Sequence, residues 1–333
     1  VCGHPDTREA HRCIDTPSPM KLPALLLMSL LLASGAGFAG ETVIPLWPEG
    51  VPATMRPDAP ALRGPVGPER VDARGWVTRI SEPRLEVMPA AIDRPTGTAV
   101  IICPGGGYAG LSREREGYQY ARWLSTLGVT PFVLTNRVGD YGHPAPLQDV
   151  LRAVRIVRSR AAEFGIDPAR IGVMGSSAGG HLAASAGTLY DHADGRTGAG
   201  LDAVSARPDF LILMYPVISM AEGVTHAGSR ENLLGKQRTP EQESFFSLEN
   251  RVTAATPPTL LVHTQEDTAV PIENSIRFFQ ALTKAGVPAE FYAFEKGAHG
   301  MGLRDGNGNA SNWTKRAEEW LRFRGLLEIA PKS

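Results

Sequence analysis

Cysteine is almost missing from this 333-residue chain, which holds three: Cys2, Cys13 and Cys103. The first two fall in a stretch that reads as leader, so Cys103 stands alone in the mature chain. A single thiol forms no intramolecular disulfide and no thiolate zinc site. There is no H-E-x-x-H and no cysteine–histidine cluster either, so neither a catalytic metal nor any other cofactor is expected. Charge of one sign is lacking too: 34 Lys and Arg face 35 Asp and Glu, a formal net of −1. With no basic run, the chain has no field to hold a phosphate backbone, which excludes nucleic acid as a partner. Aromatics are sparse, at 7%. Even so, 42% hydrophobic and 21% charged residues is the composition of a globular protein, not of a disordered or fibrous one.

What is present begins with an apolar run at residues 22–32. It follows Met20 and Lys21 and leads into Ala33-Ser34-Gly35-Ala36-Gly37-Phe38-Ala39. A charged start, a short apolar stretch and small residues make a signal peptide over 20–39, with Gly37 and Ala39 at the cleavage site and residues 1–19 as upstream sequence. The run is short for a membrane span, and Pro23 and the glycines weaken it further. The expectation is a periplasmic or secreted protein with no stable membrane association after cleavage.

Residues 40–95 read as an N-terminal arm followed by a strand pair, 76–81 and 84–88, joined by a turn. From 96 to 328 strands and helices alternate. Strands are expected at 98–103, 130–135, 170–175, 210–215, 259–263 and 290–294. Helices are expected at 114–127, 146–164, 178–190, 273–285 and 313–323. The second helix sets Leu147, Val150, Leu151, Val154, Val157 and Ala161 on one face at helical spacing. Such alternation predicts one α/β domain with a mainly parallel central sheet covered by helices on both faces. Residues 219–256 have few apolar runs and read as an excursion or lid between strands.

Gly175-Ser176-Ser177-Ala178-Gly179 fits G-x-S-x-G between an expected strand and helix, which is where a nucleophile elbow belongs. Ser177 is the candidate nucleophile, with Ser176 beside it as a packing residue. A serine hydroxyl needs a base, and the base needs an orienting carboxylate, in the chain order Ser, acid, His. Among eight histidines only His299 follows the 259–263 strand in a loop. His263 lies in that strand, His181 a turn into the elbow helix, and His143 and His226 in loops without the required order. The acid should follow the same strand. Asp267 is favoured on placement, and Glu266 is its rival.

Acyl transfer also needs donors for the developing oxyanion. The amide of Ala178 is one. The other is expected from Gly106 or Gly107 in the loop Pro104-Gly105-Gly106-Gly107-Tyr108. That loop also matches a dinucleotide fingerprint through Gly105, Gly107 and Gly110, but the next strand ends at Thr135-Asn136-Arg137 without the ribose-binding acid. Asp305-Gly306-Asn307-Gly308-Asn309 begins like a calcium loop, yet Ala310 and Arg316 stand where Gly and Glu are required. It reads as a solvated loop with a helix N-cap at Ser311 or Asn312.

With these residues in hand, the chain resembles the bacterial α/β-hydrolase-fold carbohydrate esterases, the acetyl xylan and feruloyl esterase-like serine esterases. The resemblance rests on CPGGGY at 103–108, HPAPLQDVLRAVRIVR at 143–158 and GIDPARIGVMGSSAGGHLAA at 165–184. It continues through NLLG at 232–235, TPPTLLVHTQEDTAVPIENS at 256–275 and GAHGMGL at 297–303. Ser176 departs from relatives that carry an aromatic residue there. The resemblance implies the α/β-hydrolase fold, with Ser177, Asp267 and His299 as nucleophile, acid and base and Gly106 or Gly107 with Ala178 as oxyanion donors. It also implies a substrate, small acyl esters on an acylated plant polysaccharide or oligosaccharide of the xylan type. A general short-chain carboxylesterase is the alternative. Tyr108, Tyr215, the 219–256 excursion and an arm around Trp47 are candidate substrate contacts.

Overall fold

Apolar runs that alternate with amphipathic stretches dictate layers, because a strand buried on both faces needs helices above and below it. The computed structural model describes residues 42–52 and 68–329. The chain divides into Val1–Gly37 and Phe38–Ser333, and all described residues lie in the second unit. The expected leader at 1–39 falls outside them.

In chain order the strands are β1 (Thr42–Pro45), β2 (Arg70–Val71), β3 (Trp76–Thr78), β4 (Arg84–Val87), β5 (Ala99–Cys103), β6 (Leu111–Ser112), β7 (Thr130–Thr135), β8 (Ile171–Ser176), β9 (Phe210–Met214), β10 (Thr259–Thr264) and β11 (Ala289–Phe294). The α-helices are α1 (Gln119–Thr126), α2 (Ala145–Ser159), α3 (Ala178–Thr188), α4 (Ala227–Leu234), α5 (Pro240–Phe246), α6 (Glu273–Lys284) and α7 (Trp313–Phe323).

Eight strands form one sheet in the order β1-β4-β7-β5-β8-β9-β10-β11. Pairing is parallel from β7 to β11 and antiparallel where β4 meets β1 and β7. Every residue of β5, β7, β8, β9 and β10 is buried. Two apolar clusters account for this. One joins the sheet to α2, α3 and α6 through Leu147, Leu182 and Phe278, and the other joins the opposite face to α1 and α7 through Leu124 and Trp320. Each such aliphatic or aromatic side chain contributes about 1.5–3 kcal/mol on burial. The strand order reverses at β5, with β7 on one side and β8 on the other. In open α/β sheets ligands bind in the crevice outside the carboxyl ends of the strands at such a point.

The N-terminal expectations need correction. The arm supplies β1, an edge strand of the main sheet, and its Leu46 and Trp47 are buried. Trp47 is no sugar platform: its indole N–H donates to Asp149 at 2.8 Å, and the Arg152 guanidinium lies 4.7 Å from its ring. The expected strand pair is not a hairpin. β3 joins β2 and β6 in a separate three-stranded sheet, whereas β4 enters the main sheet. The 114–127 helix opens with a π-helical turn, Glu114–Tyr118, before α1. The 146–164 helix stops at Ser159 and a separate 3₁₀ turn follows at Ala161–Phe164. The 219–256 excursion carries α4 and α5. The second starts at a capping box in which Thr239 Oγ accepts the Gln242 amide and the Gln242 side chain accepts the Thr239 amide.

Candidate active site

The turn from β8 into α3 is tight enough to set a non-glycine residue at positive φ. Ser177 has φ +55°, and its amide donates to Met214 at 3.0 Å. Such strain persists only where surroundings over-determine it, and it gathers at functional sites. Here the surroundings are glycines: a Cβ on Gly179 would strike the carbonyls of Cys103 and Pro104, so the helix can meet β5 only without one.

His299, in the loop after β11, brings Nε2 to 2.9 Å from Ser177 Oγ. Its Nδ1 lies 2.6 Å from Asp267 Oδ2, in the loop after β10. The Asp267 side chain is fully buried, and its Oδ1 accepts the amides of Ala269 and Val270 at 3.0 and 2.8 Å. Burial acts to raise its carboxyl pKa. Hydrogen bonds from His263 and His299, the nearby imidazole charge and the Val270 amide outweigh that and hold it below the usual carboxylate range. With its Nδ1–H on Asp267, the imidazole presents a lone pair to Ser177, as a general base requires. The rival acid has another task. Glu266 accepts the Gly297 amide at 3.1 Å and so fixes the loop that carries His299. From the far side of that loop, the Trp313 indole donates to Gly302 at 2.8 Å.

The glycine loop after β5 folds on itself, with the Ala109 and Gly110 amides donating to the Gly106 carbonyl. Gly106 has φ +143°, and a Cβ there would collide with the Gly110 carbonyl. The Gly107 carbonyl accepts the Asn232 side chain of α4 at 2.9 Å. The amides of Gly106, Gly107 and Ala178 donate to no acceptor among the described residues. The loop and the first turn of α3 therefore offer free donors, as an anion site does.

Tyr108 and Tyr215, expected as substrate contacts, lie behind this surface. Tyr108 is buried, and its hydroxyl sits 2.9 Å from His181 Nδ1. The other nitrogen of His181 donates to the Phe246 carbonyl at 2.9 Å, which leaves Nδ1 to accept from the tyrosine. Tyr215 is buried too and donates to Glu116 Oε1 at 2.8 Å. With both hydroxyls committed inward, neither tyrosine can present one to a ligand. Ser176 packs as expected, fully buried, its Oγ 3.3 Å from the Tyr120 hydroxyl. His263 bonds to Ser275 Oγ and the Val270 carbonyl.

Two residues at the site have roles that the sequence reading did not assign. His226 caps α4 with Nδ1, which accepts the Ser229 amide at 3.1 Å, and its ring borders the open side of Gly107. Burial, and then the neighbouring His299, lower its pKa, against Asp267. The place of His226 immediately before α4 is that of an N-cap, a signal the sequence reading did not use. Glu116 is the second residue, and no motif marks it. The 305–309 stretch runs into a 3₁₀ turn, Gly308–Asn312, whose Ser311 Oγ accepts the Asn307 amide. Asn312 is the α7 N-cap without a side-chain bond. No group of three or more His, Cys, Asp or Glu side chains among the described residues is placed to hold a metal ion.

Set beside known proteins, residues 87–282 match the BD-FAE family. The chain is 36% identical over 237 residues to the acetylxylan esterase of Xylanibacter ruminicola, covering 70% of this chain and 45% of that one. It is 37% identical over 206 residues to endo-1,4-beta-xylanase B of Butyrivibrio fibrisolvens, covering 61% and 32%. It thus spans less than half the length of either relative. Among solved structures it is similar to the acetyl ester-xyloside bifunctional hydrolase of Caldicellulosiruptor lactoaceticus, with a TM-score of 0.73 and 39% identity over 87% of this chain and 99% of that one. Esterase 2 of the planctomycete Thermogutta terrifontis, bound to propionate, gives a TM-score of 0.62 at 27% identity, covering 81% and 97%.

Proposed function

Since the chain belongs to the BD-FAE family of α/β-hydrolase carbohydrate esterases, we propose that it is a serine carboxylic ester hydrolase that removes small acyl groups, chiefly acetyl, from xylan-type glycans. One observation carries the reading: Ser177, His299 and Asp267 form a continuous hydrogen-bonded relay beside three amides without an acceptor among the described residues.

Ser177 Oγ attacks the ester carbonyl carbon as His299 Nε2 takes its proton, and Asp267 stabilises the imidazolium. The carbonyl oxygen becomes an oxyanion that accepts from the Ala178 amide and from Gly106 or Gly107. Each such donor is worth about 2.7–4 kcal/mol when tested by removal. Collapse breaks the carbon–oxygen bond to the sugar, whose oxygen takes the proton from His299, and leaves an acyl-Ser177 ester. Water then attacks that ester with His299 again as base, releasing the carboxylic acid and restoring Ser177. Ferulate is a second acyl group within this reading, and the leader-like sequence of 20–39 supports export of the chain.

The glycan preference draws on the relatives that act on xylan or on an acetyl ester and xyloside. The likeness to Thermogutta terrifontis esterase 2 favours a second reading, a short-chain carboxylesterase indifferent to the alcohol. Acetate and ferulate release from acetylated and feruloylated xylo-oligosaccharides, beside p-nitrophenyl acetate and octanoate, separates the two. Acetate release from the glycan, abolished in Ser177→Ala, supports the first. Hydrolysis of the nitrophenyl esters alone supports the second.

A further inference from the structure

Beneath His299 lies a second buried carboxyl that the acyl-transfer steps leave unused. Glu116 sits inside the π-helical turn Glu114–Tyr118. Turns of this kind are rare and are frequent at functional sites. Its side chain is enclosed, with the residue 4% exposed. Oε2 accepts the Gly105 amide at 2.9 Å, and Oε1 accepts the Tyr215 hydroxyl at 2.8 Å. The Tyr215 ring stands edge-on to His299, with centroids 5.1 Å apart. From Tyr215 the hydroxyls continue to Tyr120 at 3.0 Å and on to Ser176, the residue before the nucleophile. A Cβ on Gly105 would lie 2.5 Å from Glu116 Oε2 and 3.1 Å from Ser177 Cβ, so the carboxyl occupies the space that this glycine leaves.

We propose that Glu116 is a positioning residue for acyl transfer, holding the oxyanion loop through Gly105 and the base through the Tyr215 ring. This rests on the esterase reading given above. The physical case is one of cost. A buried carboxyl is expensive unless its oxygens are hydrogen-bonded, and an apolar side chain of similar volume would leave the buried Gly105 amide without its acceptor. Both carboxyl oxygens are used, and each bond ends on a separate part of the site. Burial pushes the carboxyl pKa up, while Tyr215, His299, the Gly105 amide and Arg115 favour its charged form. Either form can accept from Gly105, so the positioning role does not depend on its charge.

The test compares Glu116→Ala, Glu116→Gln and Tyr215→Phe with wild type on p-nitrophenyl acetate. Glu116→Ala is expected to lower kcat about 10- to 100-fold with KM within about threefold, since a misplacement of ~1 Å costs about 10²-fold. Glu116→Gln keeps an oxygen for Gly105, and its N–H₂ can donate to the Tyr215 oxygen once that hydroxyl turns to donate to Tyr120, so its kcat should return to within about threefold of wild type. Tyr215→Phe keeps the ring and drops only the hydroxyl. Its loss of about two- to fivefold should shrink in the Glu116→Ala background, as for members of one network. In a Ser177→Ala background, the low-field proton resonance of the His299–Asp267 hydrogen bond should move in Glu116→Ala and return in Glu116→Gln. That reading needs no turnover. If wild type and Ser177→Ala prove equally inert, the esterase reading falls while the resonance still judges Glu116. A folded Glu116→Ala with kcat within about twofold of wild type overturns the proposal, as does an unmoved resonance. A Glu116→Gln as impaired as Glu116→Ala also overturns it. Should Glu116→Ala fail to fold, a Tyr215→Phe loss below about twofold overturns it as well.

Discussion

Asp267 and Glu266 are neighbours in sequence, yet they face different partners at the end of β10. Asp267 touches the imidazole, and Glu266 holds the backbone of the loop that carries it. Asp267→Asn should therefore lower kcat by about 10⁴-fold, because an amide leaves the imidazole in the wrong tautomer. Glu266→Gln, which keeps an oxygen for Gly297, should stay within about tenfold. Rates on p-nitrophenyl acetate check both. The same carboxylate has a thermodynamic role. Its pKa is lower folded than unfolded, so it contributes stability above its ordinary value near ~3.9 that is lost as pH falls through the lower folded value. Melting temperatures between pH 5 and 2 should drop more steeply for wild type than for Asp267→Asn. At this scale the sequence was informative where chain order constrains the answer, as for Ser177 and His299. It chose 267 over 266 on placement alone, because either acid satisfies the order. It was silent on Glu116, whose partners Gly105 and Tyr215 lie in other elements, the second of them 99 residues away.

Elements announced themselves in proportion to how much local pattern fixes them. The fully buried strands and the amphipathic α2 were legible from apolar runs and helical spacing. The two-residue strands β2 and β6 carry no pattern, and strand partners are a tertiary matter, so β3 and β4 looked like a hairpin while pairing in different sheets. The capping box of α5 was written in Thr239 and Gln242 but sat in a stretch read only as an excursion or lid. Thr239→Ala should cost about 1 kcal/mol, measurable by urea unfolding. On α3, burial lowers the His181 pKa to about 4, partly offset by its bond to the Phe246 carbonyl. Protons then bind the unfolded chain first, so stability falls as pH drops from ~6.5 towards 4, by up to about 3 kcal/mol. His181→Gln should flatten that part of the pH–stability curve, even if it lowers the curve as a whole.

Across the whole molecule the N-terminal segment is tied to the core by a buried ion pair. Arg137 and Asp149 are fully enclosed at 2.8 Å, Arg137 also donates to the Pro52 carbonyl at 2.9 Å, and Asp149 accepts from Trp47. Removing one member strands the other charge, so Asp149→Ala should destabilise by about 3–5 kcal/mol in chemical unfolding. Asp149→Asn, which keeps an acceptor for Trp47, should recover part of it. Neither Arg137, at the end of the strand after the glycine loop, nor Trp47, expected as a substrate contact, showed this role in sequence. Their partner lies on α2, and only the closed fold brings the three together.

The lone thiol of the described domain, Cys103, is sealed at the end of β5, and burial pushes its pKa far up. A sulfur in that state is chemically mute towards maleimides and iodoacetamide. With Cys2 and Cys13 replaced by serine, a cysteine introduced at exposed Glu241 on α5 would be the single labelling point. Any fluorescence change on adding substrate would then come from the excursion that reaches the glycine loop through Asn232, free of background from the core.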